Sequence, residues 1–491
     1  MPTDKAIVIG AGIGGIATAI RLAVKGYAVE VHEKNEVPGG KLYLIEKEGY
    51  RFDAGPSLFT QPVNIEELFQ LAGENISSYF EYEKVDIACR YFFENGKMLN
   101  AHTHAEDFAN EMEEVLGEPA KNILQYLKDA ERVYENVGTI FLNHSLHKVS
   151  TWLHPRVIKA FKTVRWQYLF KTLDGFNRQR FETREAVQLF NRFATYNGSN
   201  PYSAPGMLSL IPHLEQNQGT FYPKGGMISI PGALVKLAEK LGVRFVLKSR
   251  VERIVTEGGS AKGIMANGMF CPASIVVSNV DAYYTYRDLL ADEAAAGKIL
   301  RNERSSSALI FYWGMKKSFP ELHLHNIFFS KNYREEFDHL FRTKKFYEDP
   351  TIYINITSKM ESGQAPAGGE NWFVMVNAPA MAEADWNQEI NMLRSNVIAK
   401  LSRMLGKDIS SAIQVEEVIT PAGIQLRTDS YLGSLYGTSS NSKWAAFLRH
   451  PNRKKSLKGL YFTGGSVHPG GGIPLCLKSA AIVSNMIPLP Q

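Results

Sequence analysis

With 491 residues, 44% of them hydrophobic and 21% charged, the chain can bury a large core and is expected to form two domains. A formal net charge of +5, with no nucleic-acid-binding motif to go with it, argues against a nucleic-acid partner. Its 3 cysteines, Cys89, Cys271 and Cys476, lie far apart without metal-ligand spacing, which argues against a zinc site and for a reducing compartment.

In chain order, the first residues carry no charged-then-apolar leader, and no apolar run approaches the roughly 18 residues needed to span a bilayer. A cytoplasmic location is therefore expected. Residues 5–15 (KAIVIGAGIGG) join an apolar strand at 6–9 to a turn with Gly10, Gly12 and Gly15 in G-x-G-x-x-G spacing. A helix is predicted at 16–25 and a second strand at 28–31, with Glu33 about 20 residues beyond the first glycine, where a βαβ dinucleotide site places its acid. Gly10 permits the tight turn, Gly12 lets a pyrophosphate approach the backbone, and Gly15 lets helix and strand pack closely. The helix N-terminus offers unpaired N–H groups to the phosphates. Glu33 can accept hydrogen bonds from a ribose diol and would repel a 2′-phosphate, which disfavours NADP.

A second glycine turn follows at 37–41 (VPGGK), then the run 49–57 (GYRFDAGPS). A nicotinamide enzyme has no need of another close backbone approach so soon after the ribose acid; an isoalloxazine reaching past the pyrophosphate does. Helices are predicted at 105–116 and 119–137. Residues 136–173 contain no Asp or Glu, but carry Lys148, Arg156, Lys159, Lys162, Arg165 and Lys171 among aromatics that include Phe141, Trp152, Phe161, Trp166, Tyr168 and Phe170. That mixture suits an anionic membrane surface, and 139–173 is the expected docking segment. Further along, 222–227 (YPKGGM) is a turn, 230–241 a helix, and 243–247, 251–255 and 275–279 are strands extending a mostly parallel sheet, with Gly258 and Gly259 as a turn. Runs 309–313, 351–356 and 372–376 are strands of a β-branched and aromatic sheet. A helix is expected at 387–405, a strand at 459–466, and a last helix at 475–487 opened by Ile473 and Pro474.

The run from Gly10 to Ser57 resembles the FAD-containing amine oxidase and phytoene desaturase superfamily. The tail 459–474 (GLYFTGGSVHPGGGIP) is similar to the C-terminal flavin segment of bacterial-type carotenoid desaturases, as are 194–202 (ATYNGSNPY), 213–215 (HLE), 222–227 and 431–437 (YLGSLYG). The resemblance implies an α/β fold: a Rossmann-like FAD-binding domain over 1–100, 220–285 and 420–491, with a discontinuous α+β substrate domain over 101–219 and 286–419. It implies cofactor contact at Gly10, Gly12, Ile13, Gly14, Gly15, Glu33, Lys34, Gly40, Lys41, Gly55, Pro56, Ser57, Val251, Gly464, Gly465, Gly472, Ile473 and Pro474. The activity implied is hydride loss from an allylic carbon of a carotenoid to FAD at a membrane surface, with oxygen or a quinone as the final electron acceptor. The resemblance supplies no catalytic base; Arg192, Tyr196, Glu215 and Gln425 are the polar candidates. Leu475-Cys476-Leu477 after Gly470-Gly471-Gly472 departs from the usual phytoene desaturase tail. It looks more like the branch that introduces a 3,4 double bond into a hydroxylated carotenoid. Phytoene desaturation, cis–trans isomerisation, and a non-enzymatic prenyl-lipid carrier are the alternatives on the same scaffold.

Overall fold

The computed structural model describes residues 5–490 apart from 148, 153–156, 158–166, 382 and 443–448. Five parallel strands form the first sheet, in the order Arg244–Val246, Ala28–His32, Lys5–Ile9, Ile275–Ser278 and Leu460–Phe462. Its central strand is apolar on both faces because both are covered. Ala6 and Val8 pack under the helices Ile13–Val24, Ser229–Lys240 and Ile473–Ser484, whereas Ile7 and Ile9 face a three-stranded antiparallel sheet and the helices that follow Asp281. Residues 251–257 belong to that smaller sheet, paired antiparallel with 260–266 across the Gly258-Gly259 turn; they do not extend the parallel one as expected. Two consecutive left-handed glycines make the tight hairpin that bends the chain away.

The first helix starts at Ile13, three residues before the expected position, because Gly12 serves as its N-cap. The last helix ends at Ser484, short of the expected 487, where the Lys25 ammonium donates to the carbonyls of Ser484 (2.5 Å) and Ile487 (2.8 Å).

The second sheet has seven strands, ordered Ile413–Ile419, Ser307–Met315, Glu370–Ala378, Ile352–Asn355, His325–Phe328, Ile87–Phe92 and Met98–His102. One parallel pair, 325–328 with 87–92, joins an otherwise antiparallel ladder. Alternation divides its side chains. Phe311, Trp313, Trp372, Val374 and Ile354 form a core with Leu393, Val397 and Leu401 of the helix Trp386–Leu405. Ile310, Tyr312 and Phe373 point the other way, against Tyr50 and Phe52 of the hairpin Tyr43–Lys47/Tyr50–Ala54. At the far end of that inner face, Tyr91, Phe93, Ile327 and Phe329 are covered by helical segments between 105 and 211. The expected helices at 105–116 and 119–137 are present, each ending in a wider π turn, at 112–116 and 134–138.

Candidate functional site

The glycine segments converge on one place. Gly12 bridges to Gly39; a Cβ on Gly40 would sit 3.0 Å from the Gly12 Cα, and one on Gly14 would sit 2.9 Å from the Gly464 Cα. A Cβ on Gly55 would sit 2.0 Å from the Lys41 carbonyl oxygen, and one on Gly465 would sit 3.2 Å from the Gly471 Cα. Gly10 turns with φ +94°, and a Cβ on Gly15 would fall 2.1 Å from its carbonyl oxygen, so both positions exclude side chains. Ile13 is buried, and its burial holds the helix start. No side chain caps this helix or the last one, which begins with Gly472 at φ +108°, then Ile473 and Pro474; neither has an acid in its first turn. Neither helix N-terminus therefore carries a side-chain cap or an acid of its own first turn.

Glu33 is buried at the end of the second strand, and its carboxylate accepts from the N–H of Ala11 (2.8 Å) and from Asn35 (2.9 and 2.7 Å). The Ser249 N–H donates to the Glu33 carbonyl, which brings the segment leading to Val251 alongside the acid. Lys34 is held by Asp429 at 2.7 Å and by the Leu426 carbonyl. Asp53, passed over in the sequence, ties the hairpin to the 222–227 turn by accepting from the Met227 and Ile228 N–H groups, although burial pushes its pKa up. Asn279 follows the strand Ile275–Ser278. Its amide is wedged among the Gly10, Gly12, Gly14 and Gly464 positions and donates to the Gly10 carbonyl at 3.4 Å.

Three cations meet on the consecutive residues Ser434, Leu435 and Tyr436. Lys41 donates to the Leu435 carbonyl (2.6 Å), Arg304 to the Ser434 hydroxyl (2.9 Å), and Arg449 to the Tyr436 carbonyl (2.9 Å). Asp281, paired with Arg304 at 2.5 Å, is the carboxylate among them. Arg449 is buried with no carboxylate within ion-pair distance among the described residues, and a Cβ on Gly470 would lie 3.0 Å from its Nε. Burial, with Arg304 adding to it, pushes its pKa down to about 10. Burial likewise pushes Lys41 down to about 8, against the pull of Asp281. Surplus buried positive charge of this kind calls for an anionic ligand.

Of the four polar candidates, three come together. Arg192 donates to both oxygens of buried Glu215 (3.0 and 3.1 Å), Tyr196 hydrogen-bonds the same carboxylate, and the guanidinium lies 4.4 Å from the Phe193 ring centre. Burial opposes the charge on Arg192, but Glu215 together with Tyr91, Tyr196 and Cys89 outweighs it, so its pKa is raised. Gln425 is separate: its amide oxygen accepts from the Leu432 N–H at 2.7 Å and closes a turn. His468 bonds the His144 carbonyl at 2.9 Å, and burial pushes its pKa down to about 4, which suits a structural contact.

Residues 13–487 match the family model described as flavin containing amine oxidoreductase. The chain belongs to that family. It is 49% identical over 484 residues to a 1-hydroxycarotenoid 3,4-desaturase from Flavobacterium sp. (strain P99-3), covering 99% of each chain. It is 34% identical over 488 residues to a 4,4′-diapolycopene oxygenase from Methylomonas sp, covering 99% of this chain and 98% of that one. Among solved structures, an oxidoreductase from Methanosarcina mazei superposes with a TM-score of 0.63 at 16% identity, over 98% of this chain and 99% of the other, which shows a shared fold. The resemblance to the carotenoid desaturase branch is borne out, and the protein is an oxidoreductase with a flavin cofactor.

The glycine cradle, the two uncapped helix N-termini and the uncompensated cations all fit a flavin carrying phosphates. Lys41 makes the fit pH-dependent. Its pKa in the folded protein lies below the usual lysine value, so without cofactor the charged form is penalised and stability rises with pH between about 8 and 10.5. Affinity for the flavin is expected to run the other way, falling on the order of tenfold as the ammonium is lost above about pH 8. Fluorescence titrations at pH 7 and pH 9.5 read this directly. Lys41→Gln flattens the dependence; a wild-type affinity that does not change with pH would contradict it.

Proposed function

We propose that the protein is an FAD-dependent carotenoid desaturase that introduces a 3,4 double bond into a 1-hydroxylated acyclic or monocyclic carotenoid. The observation that carries the reading is the near-half identity, end to end on both chains, with a 1-hydroxycarotenoid 3,4-desaturase. FAD, when bound, supplies the two-electron acceptor for hydride loss from an allylic carbon. In this reading the cofactor is held by Gly10, Gly12, Ile13, Gly14, Gly15, Glu33, Lys34, Gly40, Lys41, Gly55, Pro56, Ser57, Val251, Gly464, Gly465, Gly472, Ile473 and Pro474. The uncapped N-terminus of the last helix, at Gly472, Ile473 and Pro474, would steady negative charge on the reduced flavin.

The polyene lies against the inner face of the seven-stranded sheet beside the partly accessible Tyr353 and Met375, where little but the conjugated chain itself solvates charge. Delocalisation along that chain means a weak proton acceptor suffices. The FAD-binding unit comprises 1–100, 220–285 and 420–491 and the substrate unit 101–219 and 286–419, with the strands at 87–92 and 98–102 joined to the substrate sheet. Oxygen or a membrane quinone takes the electrons onward.

No helix among the described residues is long and apolar enough to cross a membrane. Peripheral docking through 139–173 is supported by exposed Trp152 and Phe170, 38% and 64% accessible, whereas Val157 and Tyr168 belong to the core. The basic residues Lys148, Arg156, Lys159, Lys162 and Arg165, with Phe161 and Trp166, lie outside the described residues. Trp152→Ser with Phe170→Ser weakens sedimentation with anionic liposomes at least tenfold, from lost aromatic burial of about 1.5–3 kcal/mol each. Unchanged sedimentation would remove this segment from the docking surface.

The activity itself is tested by anaerobic incubation of FAD-loaded protein with liposomes carrying 1′-hydroxy-γ-carotene or, separately, phytoene. Bleaching of the oxidised flavin band with a two-hydrogen mass loss from the hydroxylated substrate alone is the expected result. Bleaching with phytoene alone moves the enzyme to an earlier desaturation. Isomer conversion without mass change overturns the reading.

A further inference from the structure

A hydrogen-bonded chain crosses from the flavin-side loop to the inner face of the seven-stranded sheet. The Ser57 hydroxyl meets the Tyr353 hydroxyl at 2.8 Å, and the Tyr353 hydroxyl meets His325 Nδ1 at 2.8 Å. Asn355 Nδ2 reaches both His325 Nδ1 and the Leu324 carbonyl, each at 3.1 Å. The strand register explains the meeting. His325 is opposite Asn355 and Ile327 opposite Tyr353, so all four side chains leave the sheet on one face. Ser57 and Tyr353 are partly accessible, whereas His325 and Asn355 are buried.

The donors in this chain can be assigned. A carbonyl oxygen only accepts, so the amide atom of Asn355 beside Leu324 is its NH2 group, and the same group donates to His325 Nδ1. Nδ1 is therefore an acceptor, and the ring proton sits on Nε2, which is buried without a partner. The imidazole is neutral, since burial, with Arg192 adding to it, pushes its pKa down to about 3. The single Nδ1 lone pair is shared between Asn355 at 3.1 Å and the nearer Tyr353 hydroxyl at 2.8 Å, so Tyr353 turns its proton toward His325 and accepts from Ser57. With both hydroxyl protons committed, the two oxygens offer only lone pairs to whatever approaches them.

We propose that Ser57 and Tyr353, with Tyr353 oriented by His325 as a positioning residue, form the subsite that binds the substrate's hydroxyl group. The subsite accepts the O–H of an alcohol and discriminates against an ether or a bare hydrocarbon end. This rests on the reading of a 1-hydroxylated, 3,4-desaturated carotenoid. In such a chain the hydroxyl stands on the carbon two places from the reacting pair, so the group that binds it must adjoin the cofactor. Ser57 closes the loop segment Gly55-Pro56-Ser57 assigned to cofactor contact, and Tyr353 faces it from the sheet, flanked by Phe373 and Met375.

The test measures equilibrium binding and turnover separately with 1′-hydroxy-γ-carotene, its O-methyl ether and its deoxy counterpart, for wild type, Tyr353→Phe and His325→Phe. Ser57→Ala serves as a further variant should a sheet substitution fail to fold. Wild type is expected to prefer the alcohol over both analogues by on the order of tenfold to a hundredfold in affinity. Tyr353→Phe collapses that preference, and His325→Phe weakens it by freeing the phenol. An ether that binds as tightly as the alcohol, or a preference retained in folded Tyr353→Phe, overturns the proposal. A wild type that prefers the alcohol in binding but dehydrogenates none of the three instead overturns the desaturase reading and leaves the subsite standing.

Discussion

Gly15→Val gives a protein that purifies without a flavin absorption band. A Cβ at this position would lie 2.1 Å from the Gly10 carbonyl oxygen, and what it strikes is backbone rather than the end of a flexible side chain. The first helix must therefore move off the strand that starts the dinucleotide turn, which takes its N-terminus away from the phosphates. The Asn279 side chain, 3.3 Å from the same point, is displaced with it. Gly232→Ala is the matched control: it lies in the helix Ser229–Lys240 with nothing within 4 Å of its Cβ position. That change adds about 0.5–1 kcal/mol of stability and leaves the flavin in place. Visible absorbance of the two purified proteins, with an FAD titration of each, decides the matter. A yellow Gly15→Val protein with wild-type affinity would contradict the close packing described for this turn.

Arg192→Met is the most destabilising single change expected away from the cofactor. It leaves Glu215, only 1% accessible, without the cation that lies 3.0 Å away, and losing one partner of a buried pair costs about 3–5 kcal/mol. Pairing Arg192→Met with Glu215→Leu recovers part of that loss, because an apolar pair carries no buried charge, while the Tyr196 hydroxyl loses its acceptor. Thermal unfolding of the single and double variants measures the stability, and turnover of the double variant separates the two roles. A stable double variant that still desaturates makes the Arg192–Glu215–Tyr196 cluster structural. A stable but inactive one makes it part of the chemistry.

Signals carried by neighbouring residues were legible before any coordinates. The dinucleotide turn follows from the spacing of Gly10, Gly12 and Gly15 and from Glu33 at the second strand's end, since all four lie within one βαβ unit. The second glycine turn and the tail likewise signalled close backbone approach, which the structure makes between Gly40 and Gly12 and between Gly464 and Gly14. The hairpin at 43–54 had a readable sign that was passed over: Tyr50, Phe52 and Ala54 alternate with Arg51 and Asp53, the period of a strand buried on one side. Asp53 and Asn279 carried no such sign. A lone acid near the end of a strand and a lone amide after one become informative only beside Met227 and Gly464, far away in sequence. The same holds for Arg449, whose lack of a carboxylate partner among the described residues can be seen only once its neighbours are known.

The sequence by itself determined the dinucleotide fold and the flavin class, because the steric and hydrogen-bonding demands of the phosphates are met by a short stretch of chain. It also determined three of the strands of the second sheet, because long β-branched and aromatic runs admit few other burials. Tertiary structure alone decided which polar groups share a site. Ser57, Tyr353 and His325 come from a loop and two separate strands, and only the ladder that sets His325 opposite Asn355 puts them on one face. Tertiary structure also parted Gln425 from Arg192, Tyr196 and Glu215, since the Arg192–Glu215 contact depends on how two helical turns fold back on each other. Local covalent spacing specifies a turn, whereas a binding pocket is specified by sheet register and helix packing, and those are properties of the whole chain.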